Sequence, residues 1–159
     1  MISVATLGSH CALQLLKGAK DEGLKTLLIC EKKRKGLYQR FKFIDELIFV
    51  DSFSEILEQK CESVLRKNNS ILIPHGTLIA QMNSEQIESI KTPVFGNKHI
   101  LRWESDRTLK EQLMKEAKLE TPKSIPNPKE INGLVIAKRH GAAGGKGYFL
   151  ASTEKEYNK

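Results

Sequence analysis

Short apolar runs rich in β-branched residues alternate along this chain with longer amphipathic segments. The runs predicted to be strands are Ser3 to Leu7, Lys25 to Cys30, Glu46 to Val50, Ser70 to Ile73 and Pro93 to Phe95. The segments predicted to be helices are Cys11 to Lys20, a stretch from the capping box of Ser52 and Glu55 to about Lys67, and Asn83 to Ile90. Alternation of this kind is typical of a doubly wound α/β fold, with a parallel sheet covered by helices on both faces.

A proline-rich segment divides the chain after one further predicted helix, Ser105 to Leu119. The segment from Pro122 to Pro128 has three prolines in seven residues, and such a run cannot continue a helix. We therefore predict two domains, residues 1–117 and residues 118–159. The second contains a predicted hairpin of Leu134 to Lys138 and Tyr148 to Ser152. Because a lone two-stranded hairpin is marginal in water, we expect this domain to be incomplete.

Charge and composition narrow the class of partner. The chain carries a formal net charge of +7, which favours phosphorylated small ligands or nucleic acid. Aromatic residues make up only 6% of the sequence, which is thin for a surface that stacks single-stranded bases. No apolar run approaches the roughly 20 residues that span a bilayer, and the first residues lack the pattern of a signal peptide. A cytoplasmic protein without a membrane partner is expected.

The densest basic run is Lys32 to Lys35, with Tyr38 close behind. A solvated loop and an anion-binding segment both remain open for it, and the loop is the simpler interpretation. Three cysteines are spread along the chain, without a Cys-x-x-Cys pair: Cys11, Cys30 and Cys61. They are predicted to be small buried thiols rather than zinc ligands or a redox pair.

A glycine-rich segment near the C-terminus is the strongest local signal of chemistry. Lys138 ends an apolar strand, and the loop Gly141 to Gly147 contains four glycines in seven residues. Glycines let backbone amides approach a polyphosphate, and a lysine adds a point charge. A P-loop does not fit, because Gly147 follows Lys146 where Ser or Thr is required, and no helix follows. A strand-loop-strand phosphate flap and a simple flexible turn remain.

Two further segments follow predicted strands directly. Gly8 to His10 comes after the first strand, and Pro74 to Thr77 comes after the strand at Ser70. In doubly wound sheets, ligands bind outside the carboxyl ends of the strands, and helix N-termini there attract anions. We predict that both segments lie on one edge and share a pocket. The alternatives are that Ser9 only caps a helix and that His10 is an ordinary surface residue.

Taken together, four segments resemble the archaeal formate-dependent FAICAR synthetases, the PurP-type ligases of purine biosynthesis. The similarity covers nearly the whole chain, in the family's order. The segments that carry it are Ala5 to His10, Pro74 to Gly76, Phe95 to Ser105, and Lys138 with Gly141 to Phe149.

The resemblance implies an ATP-grasp carbon–nitrogen ligase, preceded by a pre-ATP-grasp domain. Such an enzyme uses ATP and Mg²⁺ to activate formate, which then formylates the nucleotide AICAR to FAICAR. It implies that AICAR binds at His10, Ser9 and Thr77, and it implies a homo-oligomer. The residues implied for ATP are Lys138, Gly141, Gly144, Gly145, Lys146 and Gly147. No metal ligands are expected within this chain, and catalytic residues stay unassigned. A non-catalytic module that binds nucleotides or nucleic acid is the alternative, with nucleic acid the less favoured partner.

This sequence departs from the family pattern in four places. Relatives carry a helix before the first strand, whereas this chain starts almost at the strand. Thr77 stands where relatives usually have serine, which keeps the hydroxyl but adds a methyl group. Ala143 and Lys146 stand where the flap loop of relatives often has arginine. The chain also stops before the part expected to hold the adenine site and the magnesium ligands, so the 159 residues alone are expected to be inactive.

Overall fold

The computed structural model describes residues 2–138 and 147–158. The chain forms two compact units, Met1–Leu101 and Arg102–Lys159. The regular elements of the first unit are β1 (Ser3–Leu7), α1 (Ala12–Asp21), β2 (Lys25–Glu31), α2 (Lys35–Tyr38), β3 (Glu46–Val50), α3 (Gln59–Lys67), β4 (Ser70–Leu72), α4 (Gly76–Gln81) and α5 (Ser84–Glu88). They are followed by α6 (Ile100–Ser105), α7 (Arg107–Glu116), β5 (Val135–Lys138), β6 (Tyr148–Ala151) and α8 (Glu154–Tyr157).

The sheet of the first unit has the order β3-β2-β1-β4, and every neighbouring pair is parallel. Along the chain, β2 pairs with β1 and β3 pairs with β2. The chain then crosses back, and β4 pairs with the free side of β1. The predicted strand at Pro93 to Phe95 is reduced to a single parallel bridge between Leu72 and Val94. The doubly wound parallel sheet expected from the sequence is confirmed.

Each face of this sheet carries its own cluster of buried side chains, because neighbouring strand residues point to opposite faces. The side chains of Ala5, Leu27 and Ile29 belong to one cluster of buried residues, together with Leu65 of α3 and Leu78 of α4. Their sequence neighbours Val4, Leu28 and Cys30 belong to the other cluster, together with Leu16 of α1 and Tyr38 of α2. Because successive strand residues point to opposite faces, strands buried on both faces, such as β1, require helices on both sides of the sheet.

One predicted helix is interrupted, and another begins two residues later than predicted. The capping box at Ser52 is present, since Glu55 Oε1 accepts the Ser52 N–H at 2.8 Å, but the helix it opens is a short 3₁₀ segment. Glu58 then has extended backbone, and α3 begins only at Gln59. The helix predicted over Ser105 to Leu119 is present as α7, Arg107–Glu116, and α6, Ile100–Ser105, precedes it without having been predicted. Asp106 has extended backbone and accepts the Thr108 N–H at 2.8 Å, so it caps α7 and separates it from α6.

In the second unit, β5 and β6 pair antiparallel, with Lys138 opposite Tyr148. The hairpin predicted from the sequence is therefore present. The domain border near residue 118 stays a prediction, since the compact units divide after Leu101. Within the described part of the chain, no helix combines the length and the apolarity needed to cross a membrane.

Candidate functional site

The loops that follow β1 and β4 meet at the carboxyl edge of the sheet. The two strands are parallel neighbours, with Ser3 opposite Ser70 and Ala5 opposite Leu72. The strand order reverses between them, because β2 lies on one side of β1 and β4 on the other. Such a switch point is where doubly wound sheets open a crevice for ligands. The structure thus places the segments around Ser9 and Thr77 on one edge, as the sequence analysis expected.

Ser9 and Thr77 join the two loops by a direct side-chain contact. The Thr77 hydroxyl donates to Ser9 Oγ at 2.6 Å, and both residues are 8% exposed. One layer deeper, Thr6 Oγ1 donates to the carbonyl of Ile73 at 2.9 Å. The cap position of α1 is Cys11 rather than Ser9, and Cys11 makes no side-chain capping bond. The Ser9 hydroxyl is therefore directed to the partner loop and not to the helix.

His75 holds the same junction by both of its ring nitrogens. Its Nδ1 accepts the Thr77 N–H at 3.3 Å, and its Nε2 lies 3.0 Å from the Leu7 carbonyl oxygen. A neutral ring with its proton on Nε2 satisfies both contacts. Burial lowers the pKa of His75 and nearby His10 lowers it further, while the bond to the Leu7 carbonyl opposes both. His75 is thus the N-cap of α4 and a tie between strands, a role the sequence motif did not reveal.

His10 is the exposed member of the group. Its ring centroid lies 6.4 Å from that of His75, and the two ring planes are inclined by 62°. Its imidazole is exposed to solvent beside the junction of the two loops. Of the predicted substrate residues, Ser9 and Thr77 lie within the junction and His10 stands at its rim.

Two residues that sequence reasoning did not assign to the site also reach this edge. The Tyr38 hydroxyl donates to the Ser9 carbonyl at 3.1 Å, and Arg34 Nη1 donates to the Gly8 carbonyl at 3.4 Å. Burial raises the pKa of Tyr38, and the Arg34 guanidinium works against that rise. The signal was the basic run with its nearby tyrosine. It forms a 3₁₀ turn and α2, in which Tyr38 is 2% exposed, and so it is not simply a solvated loop.

The second unit carries the predicted ATP residues. Lys138 is exposed at the end of β5, and Gly147 precedes β6 with a φ of 80°, in the left-handed region that favours glycine. The other predicted members, Gly141, Gly144, Gly145 and Lys146, lie outside the described residues. A cavity of about 810 Å³ includes Lys138 in its wall, together with Ile125, Val135, Ala137, Phe149 and Tyr157. Lys123 and Ser124 also line this cavity, so its wall contains two cations and both polar and apolar side chains.

Metal-ligating side chains are dispersed. Residues 2–138 and 147–158 contain no cluster of three or more His, Cys, Asp or Glu side chains able to hold a metal ion. Of the cysteines, Cys30 and Cys61 are buried, as predicted, whereas Cys11 is half-buried. Burial raises the pKa of Cys61 to about 11, which keeps it a protonated thiol at neutral pH.

The sequence of the chain matches one described protein family over most of its length. This family, described as a protein of unknown function (DUF1246), matches residues 4–125, which include the whole junction at the switch point. The chain belongs to the DUF1246 family.

Curated relatives give this DUF1246 chain a more specific resemblance. The 5-formaminoimidazole-4-carboxamide-1-(beta)-D-ribofuranosyl 5'-monophosphate synthetase of Nitrosopumilus maritimus is 68% identical over 158 residues, which are 99% of this chain and 46% of the relative. The synthetase of the same name from Methanocaldococcus jannaschii is 48% identical over 159 residues and is covered to 44%. The chain thus spans less than half the length of these relatives. The resemblance to FAICAR synthetases is confirmed.

Solved structures confirm the fold class. An IMP biosynthesis protein PurP from Thermococcus kodakaraensis superposes with a TM-score of 0.70 at 28% identity, over 92% of this chain and 48% of that one. An N5-carboxyaminoimidazole ribonucleotide synthetase from Thermotoga maritima superposes with a TM-score of 0.70 at 14% identity, over 99% of this chain and 42% of that one. The second likeness shows the fold alone. The α/β sheet and hairpin correspond to the first part of ATP-grasp enzymes.

Proposed function

We propose that the junction of the β1 and β4 loops binds AICAR in an ATP-dependent ligase that converts AICAR and formate to FAICAR. The observation that carries the proposal is the Ser9–Thr77 contact at the switch point of the sheet. It joins the two sequence segments that resemble the nucleotide contacts of the FAICAR synthetases. Identity of 68% with one such synthetase over 99% of the chain supports the same assignment.

The hydrogen-bond direction at the junction leaves one donor for a ligand. Thr77 Oγ1 donates to Ser9 Oγ, and a hydroxyl has one proton to give and lone pairs to accept with. The Ser9 proton is then available to an acceptor on the nucleotide. His10, exposed at the rim, can contribute a further hydrogen bond from its imidazole. His75 cannot serve in this way without breaking its bonds to Leu7 and Thr77.

We assign ATP binding to the hairpin of β5 and β6 in the second unit. The cavity beside Lys138 offers apolar side chains such as Ile125 and Phe149 for an adenine ring, and Lys123 and Lys138 offer charges for phosphates. Gly147 continues the glycine-rich flap into β6. When bound with Mg²⁺, ATP would supply the phosphoryl group that activates formate. The metal ligands are assigned to the part of the relatives that this chain does not span.

The proposal includes a cytoplasmic location and a homo-oligomer, as the family resemblance implies. The alternative, a nucleic-acid-binding module, is less well supported by the basic run. Lys32 pairs with Asp51 at 2.6 Å and Lys33 with Glu31 at 2.7 Å, so these cations are already engaged by carboxylates. Affinity for generic RNA that falls steeply with salt would favour the alternative.

Calorimetric titration of AICAR into the chain tests the site. The wild type is expected to bind, weakly if the rest of the pocket belongs to the missing part, and His10→Ala is expected to lose roughly 0.5–1.5 kcal/mol of binding free energy. His99→Ala is the control, because His99 is exposed and its nearest carboxylate is Glu88 at 3.9 Å. Equal affinity of the wild type and His10→Ala would contradict the assignment.

Activity of the purified chain is a second test. We expect no FAICAR and ADP from AICAR, formate, ATP and Mg²⁺, because the chain spans 46% of its N. maritimus relative. The measurement is chromatographic detection of both products, with a full-length synthetase as positive control. FAICAR formation by the 159-residue chain would show that the missing part is dispensable.

A further inference from the structure

Four consecutive cations follow β2 at the carboxyl edge of the sheet, and three of them are engaged elsewhere. Lys32 pairs with Asp51 at 2.6 Å and Lys33 with Glu31 at 2.7 Å, whereas Lys35 Nζ lies 5.1 Å from the centroid of the Phe49 ring. Among the described residues, none of the ion pairs involves Arg34. Among the contacts of the described residues, Arg34 is therefore the cation of this run that has neither a carboxylate partner nor a position over an aromatic ring.

Arg34 is directed toward the ligand loop. Its Nη1 donates to the carbonyl of Gly8, the residue before Ser9, at 3.4 Å. This distance is long compared with the roughly 2.7–2.9 Å of a strong charge-assisted bond. A guanidinium has five N–H donors, and Arg34 itself is exposed. Most of its hydrogen-bonding capacity thus remains available next to the loop.

Tyr38, four residues after Arg34, anchors the backbone of the basic run beside the loop after β1. Tyr38 is 2% exposed, packs in the core cluster of α1, and donates to the Ser9 carbonyl at 3.1 Å. The buried tyrosine therefore ties the basic run to the Gly8 to His10 loop. The backbone that carries Arg34 is thus kept next to the ligand loop.

We propose that Arg34 binds the phosphate of the nucleotide held at the β1–β4 junction. The planar fork of a guanidinium matches phosphate oxygens. An arginine that contacts the loop after β1 and has no carboxylate partner is suited to bind an anion held there. This inference rests on the proposed function for the location of the nucleotide. It further assigns to Arg34 the preference for the phosphorylated nucleotide over its nucleoside.

The test compares ligands with and without the phosphate. AICAR, its dephosphorylated nucleoside and ribose 5-phosphate are each titrated into the wild type, Arg34→Gln, Arg34→Lys and the control Lys33→Gln, which removes the same charge one residue away. Arg34→Gln is expected to weaken AICAR binding about 10- to 100-fold and to leave nucleoside affinity unchanged. Arg34→Lys should fall in between, because it keeps the charge but not the fork. Lys33→Gln should bind AICAR within about twofold of the wild type, as expected for a solvent-exposed charge.

The outcomes separate this inference from the proposed function. If AICAR binds the wild type and Arg34→Gln equally well, the role of Arg34 is wrong and the AICAR site stands. If Arg34→Gln loses nucleoside affinity by the same factor, Arg34 only shapes the loop, and the inference also fails. Ribose 5-phosphate that binds as tightly as AICAR, and only with Arg34 present, supports the phosphate contact but counts against AICAR as the specific ligand. A wild type that binds none of the three ligands overturns both proposals.

Discussion

Replacing Gly8 with alanine places a methyl group against the ring of Tyr38. A Cβ at Gly8 would lie 3.0 Å from Tyr38 Cε2 and 3.3 Å from the Ile29 carbonyl oxygen. Neither neighbour can move freely. Tyr38 is 2% exposed, and the Ile29 carbonyl accepts the Gly8 N–H at 2.7 Å. The close approach of the β1 loop to β2 and α2 therefore requires a residue without a side chain at position 8.

The expected cost follows from overpacking. Extra carbon forced into a well-packed core destabilises a protein by typically 1–3 kcal/mol. In a chain of this size, about 1 kcal/mol shifts the melting temperature by roughly 2–4 °C. Gly8→Ala should therefore lower the melting temperature by roughly 2–12 °C, measured by circular dichroism or calorimetry.

The chain offers a matched control in Gly18. This glycine lies within α1, and a Cβ there would meet nothing within 4 Å. Because alanine favours a helix over glycine by roughly 0.5–1 kcal/mol, Gly18→Ala should raise the melting temperature. In a Tyr38→Leu background, which removes the ring atom, the cost of Gly8→Ala should shrink. A Gly8→Ala protein as stable as the wild type would refute the steric reasoning.

Two further predictions concern the junction itself. Thr77→Val removes the donor to the buried Ser9 Oγ and should lower the free energy of unfolding by about 1–3 kcal/mol, whereas Thr77→Ser should stay close to the wild type in urea denaturation. Because the pKa of folded His75 lies below its ordinary value of 6.5, the unfolded chain takes up the proton more readily. The stability due to neutral His75 should thus be complete above about pH 6.5 and be lost as the pH falls below it. His75→Asn, which keeps a capping acceptor, should flatten that dependence, and an unchanged pH profile of melting would contradict the assignment.

The fold was largely predictable because its strands are short, apolar and well separated. The predicted bounds of β3, Glu46 to Val50, agree with the structure. The bounds of helices were less predictable from periodicity, since α7 begins only after Asp106, whose carboxylate accepts from the first amides of that helix. A side-chain cap of this kind competes with helix propagation only by a small local free energy, which no pattern of apolar residues records.

The site was predictable in part, for a different reason. Parallel strands place their carboxyl ends on one edge, so the loops after β1 and β4 had to lie on the same side. That these loops are direct neighbours depends on the strand order, which the sequence does not state. The role of Tyr38 was not predicted, because a single aromatic residue among cations is also typical of an exposed surface segment. In the structure, its ring packs onto Gly8. Its burial depends on a glycine 30 positions earlier in the sequence.

The contact between Ser9 and Thr77 also makes ligand binding depend on folding of the whole sheet. The two residues are separated by 68 positions, and contacts of such range form only after a large loop has closed. A hairpin or helix that forms early in the nascent chain therefore does not contain the junction of the β1 and β4 loops. A nucleotide that binds there selects the fully assembled sheet, and at 100 times its dissociation constant it would stabilise that state by about 2.7 kcal/mol. At a high cellular concentration of this ligand, the folded sheet would then open less often. The chain would also be less exposed to proteases.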